Sequence, residues 1–492
     1  MNYILAIDQG TSSTRAMIYS LQGVLVASSQ YALTQYYPHP GWVEHDPEEI
    51  WEKTLKAMND VVTKVGIDCI ISCGITNQRE TTVIWNKKTG TCLTPAIVWQ
   101  DRRTEDYCKS LSLYSDLIQE KTGLLPDPYF SATKLNWLLT HNEEARELAK
   151  QGQLAFGTID SFLIWRMNDG EKHLTDVTNA SRTMLFDIKN LKWDKALLDL
   201  FDIPESVLPE VCSSDAHFGV IKKKWLGVEI PINGVAGDQQ AALIGQGCFA
   251  EGMVKATFGT GGFLMLNTGV NPVRSEHKLL TTIAYKIKNT LAYGLEGSIY
   301  HAGTTVKWLR DEMNLISSSS ETETLAESLS DNGGVYFVSS FTGLGAPHWL
   351  STSGAVLFGV SRATNRAHFA RAALEGVCYQ TRDVLRCMRE DSGLDLTLLR
   401  VDGGMAVNQW FLQFLADQCQ LTVQKPKDIE TTAKGVAILA ALGYGVFDSL
   451  ASIYQQWDIE CEFKPKRDIK DVEADFAGWN RALSCVKPAD LS

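Results

Sequence analysis

Apolar positions near the start of the chain fall in short runs rather than along a helical stripe. YILAI, ending at Asp8, reads as a buried strand, and AMIYSLQGVLVASSQ reads as two β-type runs with a turn at Gly23. The period changes in HDPEEIWEKTLKAMNDVV, where Ile50, Trp51, Leu55, Met58 and Val62 share one helical face. Asp46 is placed to cap that helix, Pro47 to open it and Glu49 to complete a capping box. CIISCGITN returns to a strand pattern, with Cys69 and Cys73 on one face as small core residues. Such alternation predicts an α/β architecture with mixed sheets.

The second half of the chain repeats the theme. In GMVKATFGTGGFLMLNTG a β-type run reaches Phe258, a Gly-Thr-Gly-Gly turn follows, and another run begins at Phe263. Two strand–turn–strand units in opposite halves suggest two similar α/β domains facing each other. Small residues in IGQGCFAEG place the boundary within 245–252, which divides the chain into residues 1–248 and 249–492. The stretch SSSSETETLAESLSDNGG, from Ser317, reads as a polar surface excursion.

Composition narrows the function classes. A chain of 492 residues can form two or more domains, so an interdomain cleft is available as a site. A formal charge of −12 argues against a general nucleic-acid or anionic-membrane binder, which would need net Lys and Arg. Eleven cysteines without a C-x-x-C pair indicate neither a disulfide framework nor a zinc knuckle, and suggest reduced thiols in a cytoplasmic protein. The N-terminus lacks a basic region and cleavage site, and GVAILAALGYGVF is too short and glycine-rich to span a bilayer, so no membrane insertion is expected.

Candidate chemistry begins at IDQGTSSTR. Glycine lets backbone N–H groups turn inward around an anion, and the hydroxyls add donors, so a phosphate chain suits this loop. Neither a Walker sequence nor a G-x-G-x-x-G helix opening is present, while Asp8 beside the loop could help hold Mg²⁺. In VAGDQQAALIGQG, Asp238 precedes an Ala-rich helix and could take a proton from an attacking hydroxyl or simply cap the helix. Arg79 and Glu80 in GITNQRETT offer donors and acceptors to a small polyol, or form a surface ion pair. Asp402, Gly403 and Gly404 precede a helix starting near Asn408, with Trp410, Phe411, Phe414 and Leu415 inward.

Eight ordered segments, IDQGTSSTR, GITNQRETT, AIVWQDRRT, DPYFSATKLNWLL, GDQQAALIGQ, FGTGGF, FTGLGAPHW and VDGGMAVN, together resemble the FGGY carbohydrate kinases, from Asp8 to about Gly445. The resemblance implies an α/β fold of two duplicated actin/Hsp70-like (ribonuclease H-like) domains, with ATP and substrate in the cleft between them. By similarity, Thr11, Ser12, Ser13 and Arg15 form a first phosphate loop and Thr260 belongs to a second. Gly303, Gly404 and Asn408 match positions lining the nucleotide site, with Lys307 where a glutamine is common. Asp8 and Asp238 would hold Mg²⁺. Arg79, Glu80, Tyr129, Asp238 and Gln239 match contacts to the hydroxyls of glycerol, and Trp99 and Phe263 match an aromatic wall. The implied reaction is direct in-line phosphoryl transfer from ATP to glycerol, giving sn-glycerol 3-phosphate and ADP, with Asp238 as general base. Family members form dimers and tetramers, so a homo-oligomer is expected.

HFGVIKKKWLG departs from the family loop that binds fructose 1,6-bisphosphate. It carries Lys224 where some members have a regulatory histidine, with His217 out of register, and neither mode of regulation is expected. Two other readings share the fold: a kinase for a different small polyol or sugar, and a nucleotide-switched, actin-like or chaperone-like binding protein without kinase activity. The Arg79–Glu80 and Asp238–Gln239 pairs count against the second, because a scaffold has no need of a polyol pocket.

Overall fold

The computed structural model describes residues 2–350, 354–454 and 458–486. Its first sheet contains β1 (Tyr3–Gln9), β2 (Ser13–Ser20), β3 (Leu25–Ala32), β4 (Ile70–Asn77) and β5 (Ile230–Gly237), in the order β5-β4-β1-β2-β3, with a short edge strand at Val220–Ile221. β2 runs antiparallel to β1 and β3, whereas β4 and β5 run parallel to β1. The second sheet contains β6 (Met253–Phe258), β7 (Gly262–Gly269), β8 (Leu280–Ile287), β9 (Thr290–Ile299), β10 (Leu398–Asp402), β11 (Val423–Pro426) and β12 (Ile459–Phe463), in the order β8-β9-β7-β6-β10-β11-β12. Here β7 is antiparallel to β6 and β9, and β10 and β11 follow β6 in parallel. Five consecutive strands of each sheet therefore share order and direction. The duplication expected from the twin hairpins is present.

Helices cover both sheets, and five of them set the layers. α1 (Pro47–Val65) lays Ile50, Trp51, Ala57 and Met58 on one face of the first sheet, against Leu5, Ile7 and Ile75. α2 (Asp238–Gly245) follows β5. α3 (Arg366–Ser392) and α4 (Gln409–Cys419) cover the outer face of the second sheet, with Val377, Leu385, Phe411 and Leu412 against Val254, Phe258 and Leu264. α5 (Thr431–Tyr444) follows β11 of the second sheet yet packs on the first, where Ser72 Oγ donates to Ala440 O at 3.2 Å. α2 and α5 thus form an inner layer between the sheets, and one apolar cluster joins Ile4 and Ala6, Leu243 and Ile244, Val436 and Leu439, and Met253 and Met265.

Small residues permit that inner layer. A Cβ on Gly245 would stand 1.9 Å from Thr431 O, and one on Gly435 would stand 1.8 Å from Ala241 O, so the α2 and α5 backbones touch. α5 approaches the first sheet as closely, because Gly74 and Gly234 leave room for the backbone at Val436 and Ala440. The run that was too short for a bilayer is this interior helix. Among the described residues no helix is long and apolar enough to cross a membrane, and all eleven cysteines are free.

Two local expectations need correction, and a third needs detail. Asp46 caps α1 through Glu48 N at 2.9 Å, but Glu49 does not close a capping box; its carboxylate instead accepts from Thr34 Oγ1 at 2.9 Å and from Lys53 Nζ. Cys69 lies in a short 3₁₀ turn, Ile67–Cys69, before β4, so only Cys73 is a core residue. The segment after Ser317 lies largely on the surface, as its polar composition predicts, but it carries regular structure. It forms a helix, Glu321–Glu327, that buries Thr322 and Ala326, and Glu323 Oε1 accepts from Gln409 N at the start of α4 at 2.8 Å.

The α2–α5 crossing gives a direct test of the inner layer. Gly435→Ala and Gly245→Ala each force the two backbones apart and should cost at least about 1–3 kcal/mol. Urea unfolding midpoints read this as a clear loss, and wild-type midpoints in both variants would show that the crossing is not as tight as described.

Candidate active site

Parallel strands that end together create the site. In register, Asp8 on β1 stands beside Thr76 on β4, and Gly237 on β5 stands beside Asn77. Asp8, the residues just beyond Asn77 and the residue just beyond Gly237 therefore emerge at one edge of the first sheet, where open α/β sheets place their ligands. Those residues are Arg79, Glu80 and Asp238.

Arg79 and Glu80 are not a surface pair; each is only 2% exposed. Arg79 donates through Nη1 and Nη2 to Glu296 at 2.6 and 3.1 Å, and its Nε lies 3.0 Å from Asp238 Oδ1 and 3.7 Å from Glu80 Oε1. Arg182 completes a square, reaching Glu80 Oε1 at 2.8 Å through Nε and Glu296 Oε1 at 3.0 Å through Nη2. Gln240 Oε1 accepts from Arg79 at 3.2 Å. Two cations and two anions are thus buried together, with Asp238 at the open side. Burial alone would raise the Glu296 carboxyl, but Arg182 and Arg79 outweigh it and hold the pKa at about 2. Burial likewise works to lower the Arg79 pKa, yet Glu296 and Glu80 carry it well above the ordinary arginine value.

Asp238 is the first residue of α2, and its Oδ1 accepts from Gln239 N at 2.7 Å. Its side chain is 33% exposed, and among the described residues Oδ2 has no protein partner. Gln239 is fixed by Lys255, a buried lysine on β6 whose Nζ donates to Gln239 Oε1, to Thr257 Oγ1 at 3.2 Å and to Phe263 O at 3.3 Å. Burial lowers this ammonium to about pKa 8 against the pull of Asp402, Glu296 and Asp238.

Aromatic rings form the facing wall. Trp99 lies edge-to-face with Tyr129 at 5.5 Å and with Phe263 at 6.4 Å between ring centroids. Trp99 comes from the first half of the chain and Phe263 from β7 of the second, so the wall crosses the cleft. Tyr129 Oη stands 3.5 Å from Arg79 Nη2. The backbone turn presenting it is held by Lys134, a buried ammonium that donates to Pro128 O and Tyr129 O at 2.6 Å and to Phe130 O at 3.2 Å.

The two hairpin turns occupy equivalent places in the two sheets. In the β1–β2 turn, Ser12 is exposed, Thr11 Oγ1 accepts from Trp99 Nε1 at 2.8 Å, and Ser13 Oγ accepts from Gln30 Nε2 at 2.9 Å. Arg15 pairs with Glu430 at 2.6 Å. In the β6–β7 turn Thr260 is exposed, and its carbonyl accepts from Thr304 N at 3.1 Å and Thr304 Oγ1 at 3.0 Å. Gly303 opens the helix Gly303–Asp311 against this turn, where a Cβ would meet Gly259 O at 2.5 Å; Lys307 is exposed on the same helix. At the end of β10, Gly404 is open with nothing within 4 Å of its Cβ position, and Asn408 caps α4 through Phe411 N at 2.9 Å. The Asn408 side chain is thus already committed to the helix terminus and to Thr322 Oγ1 at 3.3 Å.

Asp8 sits between these groups. Burial, with Asp238 and Glu430 as further negative charges, raises its carboxyl to about pKa 7 against Arg15. Three carboxylates facing one guanidinium leave a deficit of positive charge, which suits a divalent cation. Sequence reasoning missed Glu296, Arg182, Lys255 and Lys134. The available signal was a lone charge in an apolar run: Glu296 in YGLEGSI, Lys255 in MVKATF and Lys134 in SATKLNWLL.

The duplicated sheets with their equivalent hairpin turns have the two-domain fold of the sugar kinases and actin-like ATPases. The sequence matches the FGGY family of carbohydrate kinases, N-terminal domain, over residues 3–245 and the C-terminal domain over residues 254–444. This chain belongs to that family. It is 50% identical to a glycerol kinase of Ectopseudomonas mendocina over 99% of both chains, and 50% identical to a glycerol kinase of Coxiella burnetii over 98% of this chain and 97% of the other. The structure of Plasmodium falciparum glycerol kinase with ADP is similar at a TM-score of 0.93, with 40% identity and 98% of each chain covered. A xylulose kinase from Lactobacillus acidophilus shares the fold at a TM-score of 0.88 and 21% identity, over 98% of this chain and 97% of the other.

Two measurements follow from the site. Glu296→Gln leaves Arg79 and Arg182 under-neutralised in a buried position and should destabilise the protein by about 3–5 kcal/mol, read by urea unfolding; a change below about 1 kcal/mol would mean that the square is not closed in solution. Because the folded pKa of Asp8 lies above its ordinary 3.8, Asp8 favours folding in acid, and that contribution is lost as the pH rises through about 7. Asp8→Asn should therefore raise the melting temperature of the ligand-free protein most at pH ~8, less at pH ~5 and hardly at all near pH ~4. An equal gain at all three would contradict the assigned shift.

Proposed function

We propose that this chain transfers the γ-phosphoryl group of ATP to glycerol, producing sn-glycerol 3-phosphate and ADP. The observation that carries the reading is Asp238, paired with the buried Arg79 at 3.0 Å and with no partner on Oδ2 among the described residues, while Tyr129 Oη, 3.5 Å from the same Arg79, brings in the ring wall of Tyr129, Trp99 and Phe263. Glycerol has three hydroxyls on a three-carbon edge. Arg79, Glu80, Tyr129, Asp238 and Gln239 supply donors and acceptors for the hydroxyls, and Trp99 and Phe263 meet the carbon edge. The close relatives carrying the glycerol kinase name support this acceptor over a longer sugar.

Asp238 Oδ2 accepts the proton of the attacking hydroxyl, while Arg79 and Gln239 N keep the carboxylate oriented. Its lone charge is tolerable because the adjoining square of Arg79, Arg182, Glu80 and Glu296 balances itself. Thr11, Ser12, Ser13 and Arg15 bind phosphate oxygens from the first domain, and Thr260 does so from the second. Gly303, Lys307, Gly404 and Asn408 line the remainder of the nucleotide site. Asp8 and Asp238 would hold Mg²⁺, which neutralises charge on the transferring phosphoryl group when bound. Arg15 exchanges Glu430 for phosphate in this scheme. The working units are residues 1–248 for the polyol and first phosphate loop, and 249–492 for the second loop and adenosine. The enzyme acts in the cytoplasm as a homo-oligomer.

Coupled ADP release with Mg-ATP is the test, using glycerol, dihydroxyacetone, erythritol, xylulose and no acceptor, on the wild type and Asp238→Asn. Glycerol should be preferred, and the substitution should cut turnover by about 10²–10⁴-fold. Preference for another polyol would overturn the acceptor, undiminished turnover in the variant would overturn the base, and turnover indifferent to every acceptor would indicate a nucleotide switch.

A further inference from the structure

A second cluster of metal-type ligands lies outside the cleft, at the C-terminal end of α3. Cys387 and Glu390 are three residues apart and therefore on one face of that helix, and His277 meets them from the segment joining β7 to β8. Their ligand atoms, the His277 ring nitrogen, the Cys387 sulfur and a Glu390 oxygen, all lie within 4.8 Å of one another. His277 Nε2 is 3.2 Å from Glu390 Oε2.

The histidine is held in the manner of a metal ligand. His277 Nδ1 lies 2.7 Å from Asp391 Oδ1, a carboxylate whose side chain is 1% exposed. That carboxylate is itself fixed, accepting from Glu276 N at 3.1 Å and from Ser275 Oγ. With Nδ1 occupied by Asp391, Nε2 is the ring atom turned toward Cys387 and Glu390. Metal-bound histidines are commonly oriented by a carboxylate on their second nitrogen in this way. The last turn of a helix also favours positive charge.

We propose that His277, Cys387 and Glu390 form a site for a zinc-type divalent cation, with Asp391 orienting His277. One nitrogen, one sulfur and one carboxylate oxygen suit Zn²⁺ or Co²⁺ and exclude Mg²⁺ and Ca²⁺, which take oxygen ligands. Cys387 binds as thiolate, its proton passing to solvent, and water fills the fourth position. Glu390, the most exposed of the three, is the ligand that closes onto the ion. Bound there, the cation ties the end of α3 to the β7–β8 segment, which also reaches the first half of the chain through Arg274–Asp116 at 2.7 Å and Gln119 Nε2 to Ser275 O at 3.0 Å. This site is independent of phosphoryl transfer.

Co²⁺ titration of the EDTA-treated full chain tests it, with magnesium present to occupy the cleft. The expected result is one Co²⁺ per chain with a thiolate-to-cobalt charge-transfer band, displaced by Zn²⁺. His277→Ala, on a half-exposed segment, should weaken binding at least about tenfold, and Asp391→Asn by about 10–100-fold, with circular dichroism confirming that both are folded. Cys387→Ser should remove the band. A wild-type protein without the band would overturn the proposal, as would a band kept at unchanged affinity in His277→Ala, which would assign it to another cysteine.

Discussion

Two guanidinium groups and two carboxylates buried together between the halves of the chain set the terms for the rest of this structure. Each ion would be costly to bury alone, and removing any one leaves an uncompensated charge out of water. Arg79 comes from the edge of the first sheet, Arg182 from the long excursion between β4 and β5, and Glu296 from the second sheet. The balance can therefore be struck only when all three regions are in place. It also determines what the pocket can do, since the same Arg79 that satisfies Glu296 orients Asp238. Opening of the cleft that parted Arg79 from Glu296 would cost several kcal/mol, so the halves must turn about this cluster rather than through it.

The two hairpin turns and the charged pocket rest on different physics. Turns at the ends of β1 and β6 depend on local chemistry: glycine where backbone approaches backbone, hydroxyls at the tip. The pocket depends on charges assembled from distant segments. Lys255 joins the two, because one ammonium fixes the Gln239 side chain and the backbone of Phe263, positioning a polar contact and an aromatic one from opposite domains.

That contrast explains what the sequence made legible. Hairpins, the α1 face and the repeated strand–turn–strand unit are local patterns, and they were readable from residue period and glycine placement. Arg79, Asp238, Trp99 and Phe263 were reachable as motif residues, and the fold brings them together. Glu296 was not: its lone charge in YGLEGSI was a local signal, but its partner Arg79 lies 217 residues away, so the run alone does not say what the charge pairs with. The Glu49 box failed for a related reason: a tertiary neighbour, Thr34, competed for the carboxylate. The segment after Ser317 read as solvent-facing because its composition is polar, yet the few small residues in it, Thr322 and Ala326, suffice to dock a short helix.

The route taken by α5 has a consequence for synthesis. The first sheet is complete when β5 leaves the ribosome, but the helix that covers its inner face is encoded roughly 200 residues later. At about 5–20 residues per second the nascent chain carries a sheet whose inner face lacks α5 for roughly 10–40 s. During that interval Ile4, Ala6 and Ala236, which α5 and its neighbours later cover, have only Met17, Tyr19 and the α2 residues Leu243 and Ile244 to pack against. The amino-terminal half thus waits for the second half to finish its core, and a ribosome that stalled between the two would release a chain whose inner apolar face still lacks α5.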